Sequence, residues 1–286
     1  MFLIFFHNHF LYSLELRNLI RRLVDHSNQI VLEYQNETLY PRICNQLFQI
    51  AAGFAHSKKM GTDYAINYKI GNGSGQGYHH TKYKKNIYKN IPETDRNIFI
   101  PYKEPRFSYC PILPMNNLCL TGYFQSKKYF ENYESDIKEL FAFPKPLTEK
   151  ISEKLLKIKK RKVGIHLRLG DYYHERFQDV FFKIDYSFYL KKVILNFEDN
   201  CEFLVFSDDL KLLSQIIDLS KFVLLNNENE IEDLFSLSQC DDIIMSNSSF
   251  SWWGTFLGKK KDRVFCPDKW FGSKGPQDPN DLYEDW

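Results

Sequence analysis

The sequence predicts an α/β fold whose C-terminal half is a doubly wound parallel sheet. Beyond residue 150, short apolar runs recur at intervals, and helical patterns occupy most of the gaps between them. Strands that alternate with helices of this length are typical of a parallel sheet covered on both faces. The composition agrees, because 43% of the 286 residues are hydrophobic and 26% are charged, as in an ordinary globular protein.

The apolar runs and the helical periodicity place the elements of this C-terminal half. Strands are predicted at residues 163–167, 203–206, 222–225, 243–245 and 264–266. Helices are predicted at 186–197, 210–219, 231–239 and 250–257. Ligands of such sheets bind beyond the carboxyl ends of the strands, so the polar residues after each run are the candidates for chemistry.

The N-terminal half has a less regular pattern. It predicts an amphipathic helix at 14–24, a strand at 30–34 and a helix at 45–59. The segment GNGSGQGYHH (71–80) lacks the glycine spacings of phosphate loops and is predicted to be a flexible surface loop. Two prolines in FAFPKPLTEK and a fresh helix start divide the chain near residue 150.

Charge and cysteine usage exclude several classes of protein. A formal net charge of +2 argues against a nucleic-acid or acidic-membrane specialist. The six cysteines show neither CxxC pairs nor a companion histidine spacing, so no zinc site is predicted and free thiols are favoured. No run reaches the roughly 18 apolar residues of a membrane span. We therefore expect a cytoplasmic protein, with peripheral membrane association through the apolar N-terminus left open.

The first strand end that attracts attention is VGIHLRLGDYY (163–173). His166 and Arg168 share one face of the predicted strand, because side chains alternate along it. The Arg168 guanidinium would suit bidentate contact with a phosphate, and Gly170 would permit a turn that aims Asp171 inward. The alternative is a core histidine, a surface arginine and an aspartate that only makes a turn.

The other two strand ends carry hydroxyl and carboxyl groups. In FSDD (206–209), Ser207 or Asp208 is placed to cap the next helix, and capping explains the segment. In IIMSNSSFSWWG (243–254), four polar residues lie before an aromatic-rich helix: Ser246, Asn247, Ser248 and Ser249. The free N–H groups at the start of that helix form an anion site. At least one of Trp252 and Trp253 is expected in the core.

The segments together favour a diphosphate ligand bound without metal. Arg168 supplies a cation, and the segment before the aromatic-rich helix supplies hydroxyls and backbone donors. No carboxylate-rich cluster resembling a magnesium site accompanies them, since the adjacent side chains in Asp208–Asp209 and Asp241–Asp242 diverge. We therefore expect neither a metal ion nor a cofactor.

The chain resembles the alpha-1,2-fucosyltransferases of glycosyltransferase family 11, and more distantly the protein O-fucosyltransferases. The resemblance runs from about residue 30 to the C-terminus. It is carried by NQLFQIAAGFAHSKKMG (45–61), GYFQSKKYF (122–130), VGIHLRLGDYY, DLFSLSQCDDIIMSNSSFSWWG (233–254) and CPDKWFG (266–272). SNSSFSWWG is the most specific of these, because HxRxGD is shared with several fucosyltransferase families.

This resemblance implies a GT-B-like pair of Rossmann-type domains. Residues 1–29 would be an extension, 30–150 the acceptor-side domain and 151–286 the GDP-fucose-binding domain. By position, Arg168 would contact the donor phosphates, His166 would line the donor pocket and Asp233 would hydrogen-bond the guanine. The diphosphate and nucleotide would be contacted by Asn247, Ser248, Ser249 and Phe250. Asn45 and Gln46 would face the cleft from the N-terminal domain.

The implied reaction is an inverting, metal-independent transfer of fucose from GDP-fucose to a glycan hydroxyl, such as the 2-OH of a galactoside. Asp171 is the candidate proton acceptor, and an orienting role beside Arg168 is its alternative. Two departures from the family pattern are PRIC (41–44) in place of a glycine-rich turn and Leu169 in place of a second arginine. Another linkage or acceptor class, or a GDP-sugar-binding protein without catalysis, remain the alternatives.

Overall fold

The computed structural model describes residues 29–32, 43–66, 81–95, 99–198 and 200–277. The helix predicted at 14–24 and the loop predicted at 71–80 lie outside these residues. The described residues fall into two compact units. One lies within Met1–Lys84 and Lys89–Ile137, and the other comprises Lys85–Tyr88 and the described part of Lys138–Trp286.

The first unit is built on a four-stranded parallel sheet. Its strands are β1 (Gln29–Leu32), β2 (Asp63–Ile66), β3 (Ile100–Lys103) and β4 (Leu118–Thr121), in the order β2-β1-β4-β3. Helix α1 (Ile43–Met60) follows β1 and confirms the helix predicted at 45–59. Most of α1 is buried, which its small residues Ala51, Ala52 and Gly53 permit. Two shorter α-helices, α2 (Thr81–Lys84) and α3 (Glu134–Leu140), also begin among the described residues of this unit.

The second unit contains the predicted alternation of helices and strands. Its elements are α4 (Lys145–Leu156), β5 (Arg161–Leu167), α5 (Tyr186–Ile194), β6 (Cys201–Ser207), α6 (Leu210–Ile216), α7 (Glu230–Ser238), β7 (Asp242–Ile244), α8 (Ser249–Phe256) and β8 (Val264–Phe265). The four strands are parallel, in the order β6-β5-β7-β8. Each predicted strand and helix of this half is found within a few residues of its predicted position, except the strand predicted at 222–225.

Helices cover both faces of this second sheet. Val163, Ile165 and Leu167 of β5 are fully buried in one core cluster with side chains of α5 and α6. Gly164, which points the other way, lies against Leu237 of α7. The fold class predicted from the sequence, an α/β protein with a doubly wound C-terminal sheet, is therefore confirmed.

The strand predicted at 222–225 is wrong. A 3-10 helix (Leu219–Lys221) precedes this segment, and the segment's only ladder contact among the described residues is a single parallel bridge from Val223 to Leu204. Asn226 then adopts a left-handed backbone at φ 48°. The apolar pattern reflects burial beside β6, but the chain leaves the sheet direction too early to form a strand.

Candidate functional site

Arg168 lies just beyond the carboxyl end of β5 and is held between two carboxylates. Its side chain is only 8% exposed. One guanidinium nitrogen pairs with Asp171, and the other lies 2.9 Å from Oδ2 of Asp208. Two carboxylates so close to one guanidinium fix its position and offset its charge.

Tyr186, at the start of α5, fixes the backbone at Arg168. The Tyr186 hydroxyl accepts a hydrogen bond from Arg168 N at 3.0 Å and donates one to Arg168 O at 2.8 Å. Burial raises the pKa of Tyr186 well above its ordinary value, so the phenol stays neutral and can donate. The strand end therefore has a defined direction before any ligand binds.

Asp208 is a site residue that the sequence analysis assigned to another role. Capping of α6 by Ser207 or Asp208 was predicted, but the cap is Asp209, whose Oδ1 accepts from Leu212 N at 2.8 Å. Asp208 instead turns toward β5, where its Oδ1 accepts from Leu169 N at 2.9 Å. A sequence signal was present, because two adjacent aspartates after a strand are one more than a helix cap requires.

Gly170 lies in the turn predicted for it, and the structure adds a steric reason for glycine there. It begins a 3-10 helix (Gly170–Tyr173) and does not have a left-handed backbone. A Cβ at this position would lie 2.2 Å from Oδ2 of Asp208. Glycine is therefore required here because the Asp208 carboxylate occupies the space of a side chain.

His166, the last but one residue of β5, joins the strand to α8. Its Nδ1 lies 3.0 Å from Oγ of Ser246 and 2.7 Å from Oγ of Ser251. Its ring stacks on Phe250 with centroids 4.8 Å apart. Ser251, which no sequence pattern singled out, also accepts from Ser246 N at 3.1 Å. His166 is only 4% exposed, so its present contacts are internal.

The segment that leads into α8 is linked to Arg168 through Tyr172. Ser248 caps the helix, with its Oγ accepting from Phe250 N at 3.3 Å. Tyr172 connects the two features, since its ring lies 5.3 Å from the Arg168 guanidinium and its hydroxyl donates to Asn247 O at 2.8 Å. The structure thus brings the cation of the first strand end to the helix terminus of the third.

Asn247 anchors the segment that leads into α8. Its side-chain amide donates to Phe182 O at 2.9 Å and to Trp270 O at 2.8 Å. Within the described residues its buried Oδ1 has no hydrogen-bond partner. Trp252 and Trp253 are both fully buried, so both belong to the core, where at least one was expected.

Asp233 lies in the first turn of α7, and its contacts are local. Its Oδ1 accepts from Nδ2 of Asn227 at 2.9 Å. Burial raises the pKa of Asp233, although the hydrogen bond from Asn227 opposes that effect. The predicted guanine contact of this residue stays a prediction.

The two residues predicted to face a cleft lie near the start of α1 in the first unit. Oδ1 of Asn45 accepts from Nε2 of Gln125 at 2.8 Å, which joins the helix to the segment after β4. Gln46 is 1% exposed and packs inside the unit. Their role toward a ligand stays a prediction.

The described residues contain neither a cluster of metal ligands nor a membrane-spanning helix. In 29–32, 43–66, 81–95, 99–198 and 200–277, histidine, cysteine and carboxylate side chains do not gather in threes as a metal ion would require. No helix among these residues has the length and apolar character needed to cross a bilayer.

The arrangement at the carboxyl edge of the second sheet is suited to an anion. The Arg168 guanidinium, which is paired with Asp171 and Asp208, is linked through Tyr172 to the segment that leads into the N-terminus of α8, where Ser248 caps the helix. A diphosphate presents several oxygens that match this set of donors.

Several curated proteins are similar in sequence. The O-antigen biosynthesis glycosyltransferase WbnK of Escherichia coli is 30% identical over 175 residues, which are 57% of this chain and 58% of that protein. An alpha-1,2-colitosyltransferase of Escherichia coli is 31% identical over 168 residues, 52% of this chain and 55% of that protein. A galactoside 2-alpha-L-fucosyltransferase of Caenorhabditis elegans is 29% identical over 205 residues, 62% and 54% of the two chains. The matched region thus spans little more than half the length of these relatives.

Solved structures of the fucosyltransferase NodZ from Bradyrhizobium share the fold. One matches 81% of this chain and 94% of its own with a TM-score of 0.52 and 10% identity. Another, of NodZ alpha-1,6-fucosyltransferase co-crystallized with GDP, has a TM-score of 0.53 and 11% identity, over 81% of this chain and 93% of that one. This match agrees with the predicted GT-B-like class.

The family model described as Glycosyl transferase family 11 matches residues 19–283, which is nearly the whole chain. The match includes every motif on which the resemblance rested, and it confirms that prediction. The chain belongs to glycosyl transferase family 11.

Proposed function

We propose that this protein transfers fucose from GDP-fucose to a sugar hydroxyl, namely the 2-OH of a galactoside. The observation that carries the proposal is the link through Tyr172 between Arg168 and the segment that leads into α8, an arrangement that suits a sugar-nucleotide diphosphate. Family membership and the fold shared with a GDP-bound fucosyltransferase support the donor. The names of two relatives support the alpha-1,2 linkage.

The proposed mechanism is an in-line displacement with inversion. The acceptor oxygen attacks the anomeric carbon of fucose while the bond to GDP breaks, and the diphosphate leaves with the electron pair. Arg168 and the N–H groups of α8 stabilise that charge, so no metal ion is required. Asp171 accepts the hydroxyl proton, a role typically worth about 10²–10⁴-fold in rate. Its pairing with Arg168 equally fits an orienting role.

The test of this function is an incubation of the protein with GDP-fucose, a panel of galactosides and EDTA, followed by linkage analysis of the product. We expect a fucosylated galactoside with an alpha-1,2 linkage. Another linkage would correct the regiochemistry, and loss of transfer in EDTA would contradict metal independence. Binding of GDP-fucose with neither transfer nor hydrolysis would identify a binding protein instead.

A second donor belongs in the same panel. The relative named alpha-1,2-colitosyltransferase is 31% identical, so another deoxysugar donor is a specific alternative. A colitosyl nucleotide tested beside GDP-fucose decides between them by the ratio of kcat/KM. A ratio in favour of colitose would overturn the proposed donor while leaving the proposed phosphate site intact.

We expect Arg168→Ala to abolish GDP binding and fucosyl transfer almost completely, because the guanidinium is the cation that meets the diphosphate. GDP affinity is measured by calorimetry and folding by circular dichroism. Arg263→Ala is the matched control, since Arg263 also pairs with a buried carboxylate of the second unit, Asp242, but at the amino edge of its sheet. Turnover like that of the wild type in a folded Arg168→Ala variant would contradict the assignment.

A further inference from the structure

A second carboxylate that the mechanism does not use lies at the carboxyl edge of the first sheet. Glu104 directly follows β3, and its backbone N–H donates to Thr121 O of β4 at 2.8 Å. Its Oε2 accepts from Tyr123 N at 2.6 Å and its Oε1 from Phe124 N at 2.9 Å. The carboxylate therefore lies where two parallel strands end, which is the edge at which such sheets bind ligands.

The chain after β4 is shaped around this carboxylate. Gly122 has φ 153°, and a Cβ there would lie 2.4 Å from Cβ of Glu104 and 2.7 Å from its Oε2. Phe124 has a left-handed backbone at φ 50°, which is unfavourable for a residue with a side chain. These backbone conformations of Gly122 and Phe124 direct the N–H groups of Tyr123 and Phe124 toward the Glu104 carboxylate.

Aromatic rings surround the same edge. The aromatic cluster comprises Phe107, Tyr109, Tyr123 and Tyr129, all of which are half-buried. Tyr109 meets Tyr129 edge to face with ring centroids 4.8 Å apart, and the ring centroids of Phe107 and Tyr123 are 6.4 Å apart. Sugar sites combine these two elements, because a ring stacks on the apolar face of a sugar while a carboxylate binds its hydroxyls. A few polar groups among aromatic side chains are typical of a small-molecule site.

The electrostatic surroundings leave Glu104 available to a neutral ligand. Within the described residues it makes no ion pair with lysine or arginine, and the titratable groups that interact with it are Tyr102, Tyr123 and Tyr129. Burial raises the pKa of Glu104 to about 7, against the opposing effect of the N–H groups of Phe124 and Tyr123.

We propose that Glu104 and the aromatic cluster form the acceptor-sugar subsite, in which the ionised carboxylate accepts a hydrogen bond from a sugar hydroxyl. The inference rests on the proposed function and deepens it, since it names residues of the first unit that select the acceptor. An ionised carboxylate accepts hydrogen bonds more strongly than a protonated one. Affinity for the acceptor sugar is therefore highest above about pH 7 and falls as Glu104 gains its proton below that value.

The test compares Glu104→Gln and Tyr109→Ala with the wild type in galactoside KM, in direct galactoside binding without donor, and in GDP affinity. A lost hydrogen bond to a charged group predicts a rise of about ten- to a hundredfold in acceptor KM for Glu104→Gln, with no pH dependence left near neutrality. GDP affinity should not change. Glu93→Gln is the control, because Glu93 is an exposed carboxylate of the same unit, paired with Lys84 at 2.6 Å.

Two outcomes overturn the inference and leave the proposed function standing. One is a folded Glu104→Gln variant with the acceptor KM and pH profile of the wild type. Glutamine has only one oxygen to accept from the two N–H groups, so Glu104→Gln could prevent folding. In that case the second outcome is a Tyr109→Ala variant that binds the galactoside as well as the wild type does. Failure of the wild type itself to transfer fucose is a different result, which overturns the proposed function.

Discussion

The position of the Arg168 side chain depends on Asp208, and the position of Asp208 depends on the glycine at residue 170. Asp208 reaches Arg168 and Leu169 N because nothing but hydrogen occupies the side-chain position of Gly170. The guanidinium is thereby held in one place before a ligand arrives. Such preorganisation avoids the cost of ordering the side chain on binding.

At this residue scale, we expect Gly170→Ala to lower the free energy of unfolding by about 1–3 kcal/mol, because the methyl group displaces a carboxylate that has two partners. GDP affinity should fall with it. Chemical denaturation and calorimetry measure the two effects.

A double-mutant cycle with Asp208→Ala identifies the cause. Without the carboxylate, the added methyl group has space, so Gly170→Ala should cost much less in that background. Equal costs in both backgrounds would mean that the backbone, not Asp208, requires glycine.

At the scale of elements, α7 lies close to both the strand and the helix of the site. Leu237 of α7 lies against Gly164 of β5 and Gly254 of α8, where added Cβ atoms would lie 2.7 and 2.5 Å from its methyl carbons. The absence of side chains at Gly164 and Gly254 therefore leaves room for Leu237. This packing sets the positions of β5 and α8, and so it allows the contact between His166 and Ser251.

We expect Gly254→Ala to reduce stability by about 1–3 kcal/mol through overpacking against Leu237. Because it moves α8, the variant should also weaken GDP binding. Both quantities are read from denaturation curves with and without GDP, since a ligand of the native state raises the midpoint.

Gly61→Ala is the matched control for this variant. Its Cβ would meet no atom within 4 Å, but its φ of 65° is unfavourable for alanine, and it lies in the first unit. A comparable loss of about 1 kcal/mol is expected, without any change in GDP affinity. Weaker GDP binding in both variants would show that stability alone controls the site.

At the scale of the whole molecule, the near-neutral net charge conceals strong local pairs. Asp242 is fully buried at the amino edge of the second sheet, where Arg161 lies 2.5 Å and Arg263 3.2 Å from its carboxylate. Burial opposes ionisation of this carboxyl, but the hydrogen bonds from the two arginines outweigh it and lower its pKa. These contacts join β5, β7 and the residue before β8.

We expect Asp242→Asn to reduce the free energy of unfolding by about 3 kcal/mol, because it leaves two guanidinium groups without their buried partner. A lowered pKa in the native state means that Asp242 stabilises the fold above its unfolded value of about 3.9 and that this contribution disappears as the pH falls through the native value. The variant should therefore lose less stability than the wild type on acidification.

Asp262→Asn supplies the comparison on the surface. Asp262 pairs with the same Arg161 at 2.5 Å, but its side chain is 66% exposed. Its loss should cost no more than about 1 kcal/mol. If both variants cost the same, burial is not the reason for the strength of the Asp242 contacts.

Much of the molecule could be predicted from local patterns. The alternation beyond residue 150, the helix that begins after Ser248 and the family motifs depend on neighbours along the chain. The strand predicted at 222–225 was wrong because its apolar pattern also fits a segment that meets β6 at a single bridge and then turns away. The periodicity of apolar residues indicates which side chains are buried, but it does not show how far a segment hydrogen-bonds to the neighbouring strand.

The sequence by itself determined the fold class, the two strand ends that carry the candidate site and the family. Only the tertiary structure decided that Asp208 holds Arg168, that Ser251 meets His166 and that Glu104 lies at the edge of the first sheet. The physical reason is distance along the chain, since Leu169 and Asp208 are 39 positions apart and His166 and Ser251 are 85. Such contacts depend on how strands and helices pack, and no local pattern encodes them.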